Sequence, residues 1–305
     1  MPNDEREPVL RFAPSPNGPL HLGHAYSALL NHDLARSLGG RLLVRMEDID
    51  RQRCTPEYER AILEDLDWLG VRHDGQVLRQ SERFDRYANA LERLDALGVV
   101  YPAFLTRGDV RRMVEGQDDS GKPWPRDPDG APLYPTGERD LPNGERQRLL
   151  SEGRPHALRL DVDRAAAITG PLAWHEMNGD GNDARSRPLD PPPEAWGDVV
   201  LARWDMPTSY HLSVVVDDAA QGVTHVVRGN DLRAATSIHR TLQTLLGLPE
   251  PIYHHHALIR DDDGAKLSKS RGSDALATLR RDGHSSADVK DRIRKALAVS
   301  ERLST

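Results

Sequence analysis

The chain has 305 residues, 37% hydrophobic and 29% charged, with a net charge of −7 at pH 7 and one cysteine, Cys54. No run of about 18 apolar residues occurs, which excludes a transmembrane helix, and MPNDEREPVL lacks the basic and apolar regions of a signal peptide. A lone cysteine can neither close an internal disulfide nor support a cysteine-based metal site, so a cytoplasmic protein is the default expectation.

VLRF, from Val9 to Phe12, reads as a short buried strand ended by prolines. From His21 to Leu38 the residues Leu22, Ala25, Leu29, Leu30 and Leu34 recur at helical spacing, and Gly39-Gly40 ends that helix. RLLVRMED (Arg41 to Asp48) reads as a second strand, and Thr55-Pro56 as an N-cap and first-turn proline opening another helix. A further helix spans Glu82 to Leu97, with Phe84, Tyr87, Ala88, Leu91, Leu94 and Leu97 on one face and Gly98 after it. Strand and helix alternate, which predicts a parallel α/β sheet.

Between about Asp118 and Trp196 proline, glycine, aspartate and arginine dominate, and loops with small irregular elements are expected. Leu212 to Val216 and Val223 to Val227 are apolar and read as strands, followed by a helix at Ala235 to Leu246 and a strand around His256 to Ile259. The predicted architecture is a Rossmann-type doubly wound parallel sheet split by an insertion. Its parts are a first half at 1–100, the insertion at 101–196, a second half at 197–250, and a loop with a mainly helical segment at 251–305. The tryptophans, Trp68, Trp174 and Trp204 among them, read as packing residues.

Chemistry concentrates in two places. In RFAPSPNGPLHLGHAYSALL (Arg11 to Leu30) a proline-rich turn enters a helix, where unpaired N–H groups and the positive dipole end favour phosphate. Pro14 and Pro16 hold the turn extended, and Gly18 and Gly23 permit close approach of a ligand. His21 and His24, three apart, can share one face and donate to one anion, or simply cap and pack locally. In RDDDGAKLSKSRG (Arg260 to Gly272) Lys266 and Lys269 suit a loop closing over a triphosphate, though such loops are also ordinary solvated segments. KLSKSRG, LRRDG and VKDRIRKAL together concentrate positive charge that can face a polyanion despite the acidic total, or form a solvated helical face.

Taken as a pair, HLGH and KLSKS resemble the HIGH and KMSKS signatures of class I aminoacyl-tRNA synthetases. RFAPSPNGPLHLGHA, GGRLLVRMEDID, SYHLSVVVDD, GVTHVVRGNDL and DGAKLSKS are similar to the glutamyl branch, over roughly Val9 to Leu276. A full glutamyl-tRNA synthetase continues into a helical anticodon-binding region, whereas this chain stops soon after KLSKS. That pattern resembles the short glutamyl-queuosine tRNA(Asp) synthetase family, whose members activate L-glutamate with ATP and attach it to the queuosine base in the anticodon of tRNA(Asp). Two other readings stay open: a truncated enzyme charging tRNA(Glu), which the full HLGH signature favours slightly, and a tRNA-independent HxGH-type adenylate-forming ligase.

The resemblance implies a glutamate pocket made by Arg11, Ala13, Ser15, Glu47, Tyr210 and Arg228. In it Arg11 and Arg228 meet carboxylates, Glu47 the ammonium, and Tyr210 closes the pocket. Read on their own, Arg11 and Arg228 are equally surface residues at strand ends, and Glu47 an ordinary partner of Arg45 or Arg51. ATP binding is implied for His21, Gly23, His24, Lys266, Ser268 and Lys269, with His21, His24, Lys266 and Lys269 carrying catalysis and Mg²⁺ accompanying the nucleotide. Relatives bind zinc through cysteines in YPCFC-like and YPGTC-like segments. Here those segments are Tyr101-Pro102-Ala103-Phe104-Leu105 and Tyr134-Pro135-Thr136-Gly137-Glu138, so no structural zinc is expected. Asp217-Asp218 can serve as a proton acceptor or fix a strand end, and stays outside the catalytic set. His254 and His256 share a face of a strand, but no third metal ligand is evident. A monomer with no membrane partner is expected.

Overall fold

A computed structural model describes residues 7–177, 184–259 and 275–302. β1 (Val9–Phe12), α1 (Leu22–Ser37), β2 (Arg41–Met46) and α2 (Pro56–Leu69) follow one another as expected, and a short β3 (Leu78–Arg79), not foreseen in the sequence, comes next, with β1 parallel to β2 and β2 to β3. Local chemistry sets the boundaries. The Thr55 side chain accepts from Tyr58 N–H at the start of α2, and Gly70 closes that helix at φ 77°, a conformation only glycine adopts without cost. α3 (Phe84–Ala96) then packs its apolar face inward.

The next stretch is more regular than its composition suggests. It contains β4 (Val100–Ala103), α4 (Arg107–Asp119), α5 (Asn143–Ser151), β5 (Ala157–Leu160), α6 (Val162–Thr169), β6 (Ala173–Met177) and β7 (Ala184–Pro188), followed by β8 (Val200–Arg203). β4, β5 and β8 form an antiparallel sheet, whereas β6 and β7 leave it and join the strands of the second half. That half holds α7 (Tyr210–Ala220), β9 (His225–Gly229), α8 (Thr236–Leu245) and β10 (Ile252–His256), with β10 parallel to both β9 and β6. α9 (Leu276–Arg281) and α10 (Ser286–Arg302) complete the described chain.

Two expectations are corrected. Leu212–Val216 lies in α7, not in a strand: Leu212, Ser213, Val214, Val215, Asp217 and Asp218 are all buried, so the run is apolar because the helix is enclosed. A short apolar run cannot distinguish the two cases. The strand placed around His256–Ile259 ends at His256 and begins at Ile252.

β1 and β9 bring the parallel sheet of the first half and the mixed sheet of the second edge to edge. At their starts Thr224 N–H donates to Val9 O at 2.9 Å and Val9 N–H to Thr224 Oγ1 at 2.8 Å. Further along, the Val227 carbonyl takes side chains instead, Asn31 Nδ2 at 3.2 Å and Arg11 Nη1 at 3.4 Å. A crevice therefore opens at the carboxyl ends of the strands, where strand order reverses, the usual ligand position of such sheets. Strand alternation sorts the faces. Leu10, Phe12, Leu42, Val44 and Met46 pack with α1 and α2, which leaves Arg11 and Arg45 on the face toward α7.

At the positions where the resemblance implies zinc thiolates, Glu138 holds the segment together. Its Oε2 accepts from Phe104 N–H at 2.9 Å, Leu105 N–H at 3.2 Å and the Tyr134 hydroxyl. Arg159 covers the Tyr134 ring, 3.6 Å from its centre. Replacing Glu138 with alanine orphans the Phe104 amide and the Tyr134 hydroxyl proton, while Leu105 N–H keeps the Tyr134 oxygen at 3.2 Å, and is expected to destabilise the protein by about 1–3 kcal/mol. Thermal melts with and without EDTA check this: wild type is expected to be indifferent to chelation, and a chelator-sensitive melt would contradict the carboxylate clasp.

Asp65 on α2 is 1% exposed and faces Arg280 Nη1 of α9 at 3.4 Å. Burial pushes its carboxyl up to about 6, against the opposing pull of Arg280. Because the folded pKa is raised, the stabilising effect is complete below pH 4 and is lost as pH rises to about 6. Asp65→Asn is expected to flatten the stability profile over that window and to gain about 1 kcal/mol at pH 7.5, measured by urea unfolding at pH 4.5 and 7.5. An unchanged slope would refute it.

Candidate active site

The cavity in the β1–β9 crevice has a volume of about 570 Å³. Its entrance is built by the turn after β1. His21 caps α1, its Nδ1 accepting from Gly23 N–H at 3.1 Å, while His24 Nδ1 accepts from His21 N–H at 3.2 Å. Both Nδ1 atoms are acceptors, so each neutral imidazole carries its proton on Nε2. The rings lie 3.8 Å apart, centre to centre. A Cβ at Gly23 would come within 3.0 Å of the His21 ring. That glycine makes room for the capping imidazole, a tighter demand than the close ligand approach expected for it.

The floor is ionic. Asp218 Oδ1 receives Arg11 Nε at 3.0 Å and Arg45 Nη1 at 2.7 Å, and Arg45 also reaches Gln221 Oε1 at 3.0 Å and Glu47 Oε1 at 3.4 Å. Burial works against the ionised form of Asp218, but Arg11 and Arg45 outweigh it and hold the carboxyl below its ordinary range. For Glu47 burial wins over Arg45 and Arg11, and its carboxyl is pushed up. Arg51 is engaged elsewhere, donating to Ser81 O at 2.9 Å, so the partner of Glu47 is Arg45. Asp217 serves the same helix differently. It accepts from Gln80 at 2.9 Å, Arg83 at 2.7 Å and the Tyr87 hydroxyl at 2.6 Å, tying α7 to α3 and the turn before it.

Arg228 forms the opposite wall. Nε donates to His255 Nε2 at 3.2 Å, Nη1 to His239 Nδ1 at 2.9 Å and Nη2 to Thr236 Oγ1 at 2.8 Å. Arg11 and Arg228 are 4% and 5% exposed, which removes the reading of them as surface residues.

Arg11, Ala13, Ser15, Glu47, Tyr210 and Arg228 all line this one cavity, as do His21, Gly23 and His24. Lys266, Ser268 and Lys269 lie outside the described residues. Sequence reasoning missed Tyr26, Ser27, Asp231, Leu258 and the lining role of His256. Alternation along the strand put His256 on a common face with His254 but gave no direction for that face. The ring of His256 meets Tyr26 edge-on at 4.8 Å. Among the described residues no group of three or more His, Cys, Asp or Glu could hold a metal ion.

Beside this cavity is a second, of about 550 Å³, which shares Tyr210 with it and is lined by Leu105, Arg107, His156, Arg159 and Trp204. Trp204 is 71% exposed and is no packing residue.

The family of tRNA synthetases class I (E and Q), catalytic domain, matches residues 8–289. The chain belongs to that family. A glutamyl-Q tRNA(Asp) synthetase of Rhodobacter capsulatus is 50% identical, the alignment covering 92% of this chain and 98% of that protein. One from Nocardia farcinica is 39% identical over 96% of this chain and 85% of its own length. A glutamate–tRNA ligase 2 of Methylobacterium is 39% identical as well, but the match covers only 57% of it. The crystal structure of a glutamate tRNA ligase from Elizabethkingia meningosepticum, in complex with its amino acid, superposes with a TM-score of 0.72. Its sequence identity is 29%, over 88% of this chain and 53% of that one. Membership in the family is consistent with a Rossmann-type sheet at the centre of the fold. No helix among the described residues is long and apolar enough to cross a membrane.

Proposed function

We propose that the protein activates L-glutamate with ATP and transfers it to the queuosine base in the anticodon of tRNA(Asp). The observation that carries this is the pairing of charges in one cavity: two buried arginines and one partly buried glutamate, the complement of a dicarboxylate bearing one ammonium. Arg11 and Arg228 take the carboxylates, Glu47 takes the ammonium, Ala13 and Ser15 border the substrate, and Tyr210 closes it in. The near full-length likeness to proteins named glutamyl-Q tRNA(Asp) synthetase supports the choice of nucleic acid.

In the first step a carboxylate oxygen of glutamate attacks the α-phosphorus of ATP, and the bond to the β-phosphate oxygen breaks to release pyrophosphate. The nucleophile is already ionised, so the protein supplies position and charge, not a base. His21 and His24 donate from Nε2 to the phosphates beside the α1 N-terminus and Gly23. Lys266, Ser268 and Lys269 complete the nucleotide site in this proposal, with Mg²⁺ entering bound to ATP. In the second step a hydroxyl of the queuosine ring attacks the acyl carbon, the bond to AMP breaks, and the hydroxyl proton leaves to solvent.

Incubation with ATP, labelled glutamate and tRNA(Asp), with and without queuosine, tests the reading. Label is expected only on queuosine-containing tRNA(Asp). Label on unmodified tRNA(Asp) or on tRNA(Glu) would overturn the choice of tRNA, and product release without any tRNA would point to a small-molecule ligase.

The second cavity supports an aromatic substrate adjoining the adenylate. An exposed indole offers a stacking face worth about 1–3 kcal/mol per base. Trp204→Ala is accordingly expected to raise the KM for tRNA about tenfold or more, leaving glutamate-dependent ATP–pyrophosphate exchange unchanged. Equal loss of exchange and transfer would rule out that role.

A further inference from the structure

Arg228 differs from its neighbours in what holds it. Arg11 and Arg45 share the Asp218 carboxylate, and Arg83 has Asp217. Around Arg228 the partners are imidazoles, a hydroxyl and an aromatic face: His255 on β10, His239 and Thr236 on α8, and the Tyr253 ring 5.3 Å from its guanidinium carbon. Among the described residues no carboxylate forms an ion pair with it. Behind the cage Glu176 on β6 lies 3.8 Å from the far nitrogen of His255 and is itself paired with Arg187.

The protonation states follow from donor counting. Arginine has five N–H donors and no acceptor, so a ring nitrogen facing it must hold a lone pair. His239 Nδ1 is therefore bare and its proton is on Nε2, which donates to His211 Nδ1 at 3.2 Å. His255 Nε2 is bare likewise, with its proton on Nδ1. Burial and the Arg228 charge both disfavour imidazolium, pushing His255 down to about 2, His211 to about 4 and His239 well below its ordinary value. Three of the five N–H groups of Arg228 are used, which leaves one on each terminal nitrogen.

We propose that His239 and His255 are positioning residues: they orient Arg228 with neutral acceptors only, so that its charge stays uncompensated until a substrate carboxylate enters. A carboxylate in either place would orient the guanidinium equally well and neutralise it. Arg11 has such a counter-ion, so the two arginines make different demands on the ligand. The proposal rests on the reading that this cavity takes glutamate.

Matched isosteres test it. In His239→Asn the amide oxygen replaces Nδ1 as a neutral acceptor, and in His239→Asp a carboxylate stands at the same place. The expected result in glutamate-dependent ATP–pyrophosphate exchange is a glutamate KM within about threefold of wild type for Asn and raised about tenfold or more for Asp. Tenfold is the scale of one charge-assisted contact. The KM for ATP should be unchanged in both. His255→Gln and His255→Glu form a second pair with the same expectation, should the first not fold. Equal KM values for amide and acid variants would overturn the proposal, as would an acid variant that unfolds where its amide folds. Absence of exchange in the wild-type protein would instead refute the glutamate reading, and this proposal with it.

Discussion

Replacing Asp218 with alanine is expected to abolish glutamate-dependent exchange and to lower folding stability by about 3–5 kcal/mol, the cost of leaving buried charge uncompensated. Both halves of the expectation come from one oxygen. Asp218 Oδ1 accepts from Arg11 at 3.0 Å and from Arg45 at 2.7 Å, and the Arg45 side chain is fully buried. Without the carboxylate two buried guanidinium groups lose their shared counter-ion, Arg45 keeps only Gln221 and the longer contact to Glu47, and Arg11 loses the contact that aims it into the cavity. Asp218→Asn keeps the shape and one acceptor, so its loss should be smaller than that of alanine. The sign of the pH response is also determined. Arg11 and Arg45 lower the carboxyl against the effect of burial, so this stabilisation is present at neutral pH and is lost as pH falls below the ordinary aspartate range. Chemical unfolding combined with exchange assays decides the matter, and an alanine variant with native stability would show that Arg45 finds another partner.

Replacing His21 with alanine is expected to slow exchange by about 100-fold to 1,000-fold, as for loss of one preorganised donor to a charged transition state. Glutamate affinity should stay within about threefold, because His21, the N-cap of α1, is assigned to phosphate and not to the glutamate carboxylates. Some destabilisation comes with it: the ring nitrogen that accepts from Gly23 N–H is lost, worth about 1 kcal/mol for a helix cap. His21→Asn restores a capping oxygen without the outer N–H donor. It should therefore recover stability but not rate. If asparagine recovers both, His21 is a cap and nothing more.

Much of the site can be named beforehand because the motifs that carry the family resemblance are local. The cap at His21, the spacing to His24 and the ends of β1, β2 and β9 are properties of short segments, and they place Arg11, Glu47 and Arg228 at strand ends. What the charges do there was not legible. Asp218 and its two arginines are separated by 173 residues or more along the chain, and Asp217 by at least 130 from Gln80, Arg83 and Tyr87. As two adjacent acids in an apolar run, they resembled a strand end. The same run reads as a strand because an enclosed helix is apolar over several consecutive residues, as Val214 and Val215 are here.

His239 and His255 show the same limit more sharply. A triple histidine suggests metal chemistry when taken alone, yet in the fold its middle member turns toward an arginine. The linear chain thus determined the order of the first βα units, which depends on periodicity and capping, and its HLGH and KLSKS motifs carried the resemblance that implied the family and the candidate residues for glutamate and ATP. The tertiary structure decided which charges are matched and which is left unmatched. That distinction depends on distances between segments far apart in sequence, and on the low dielectric of the interior in which they meet.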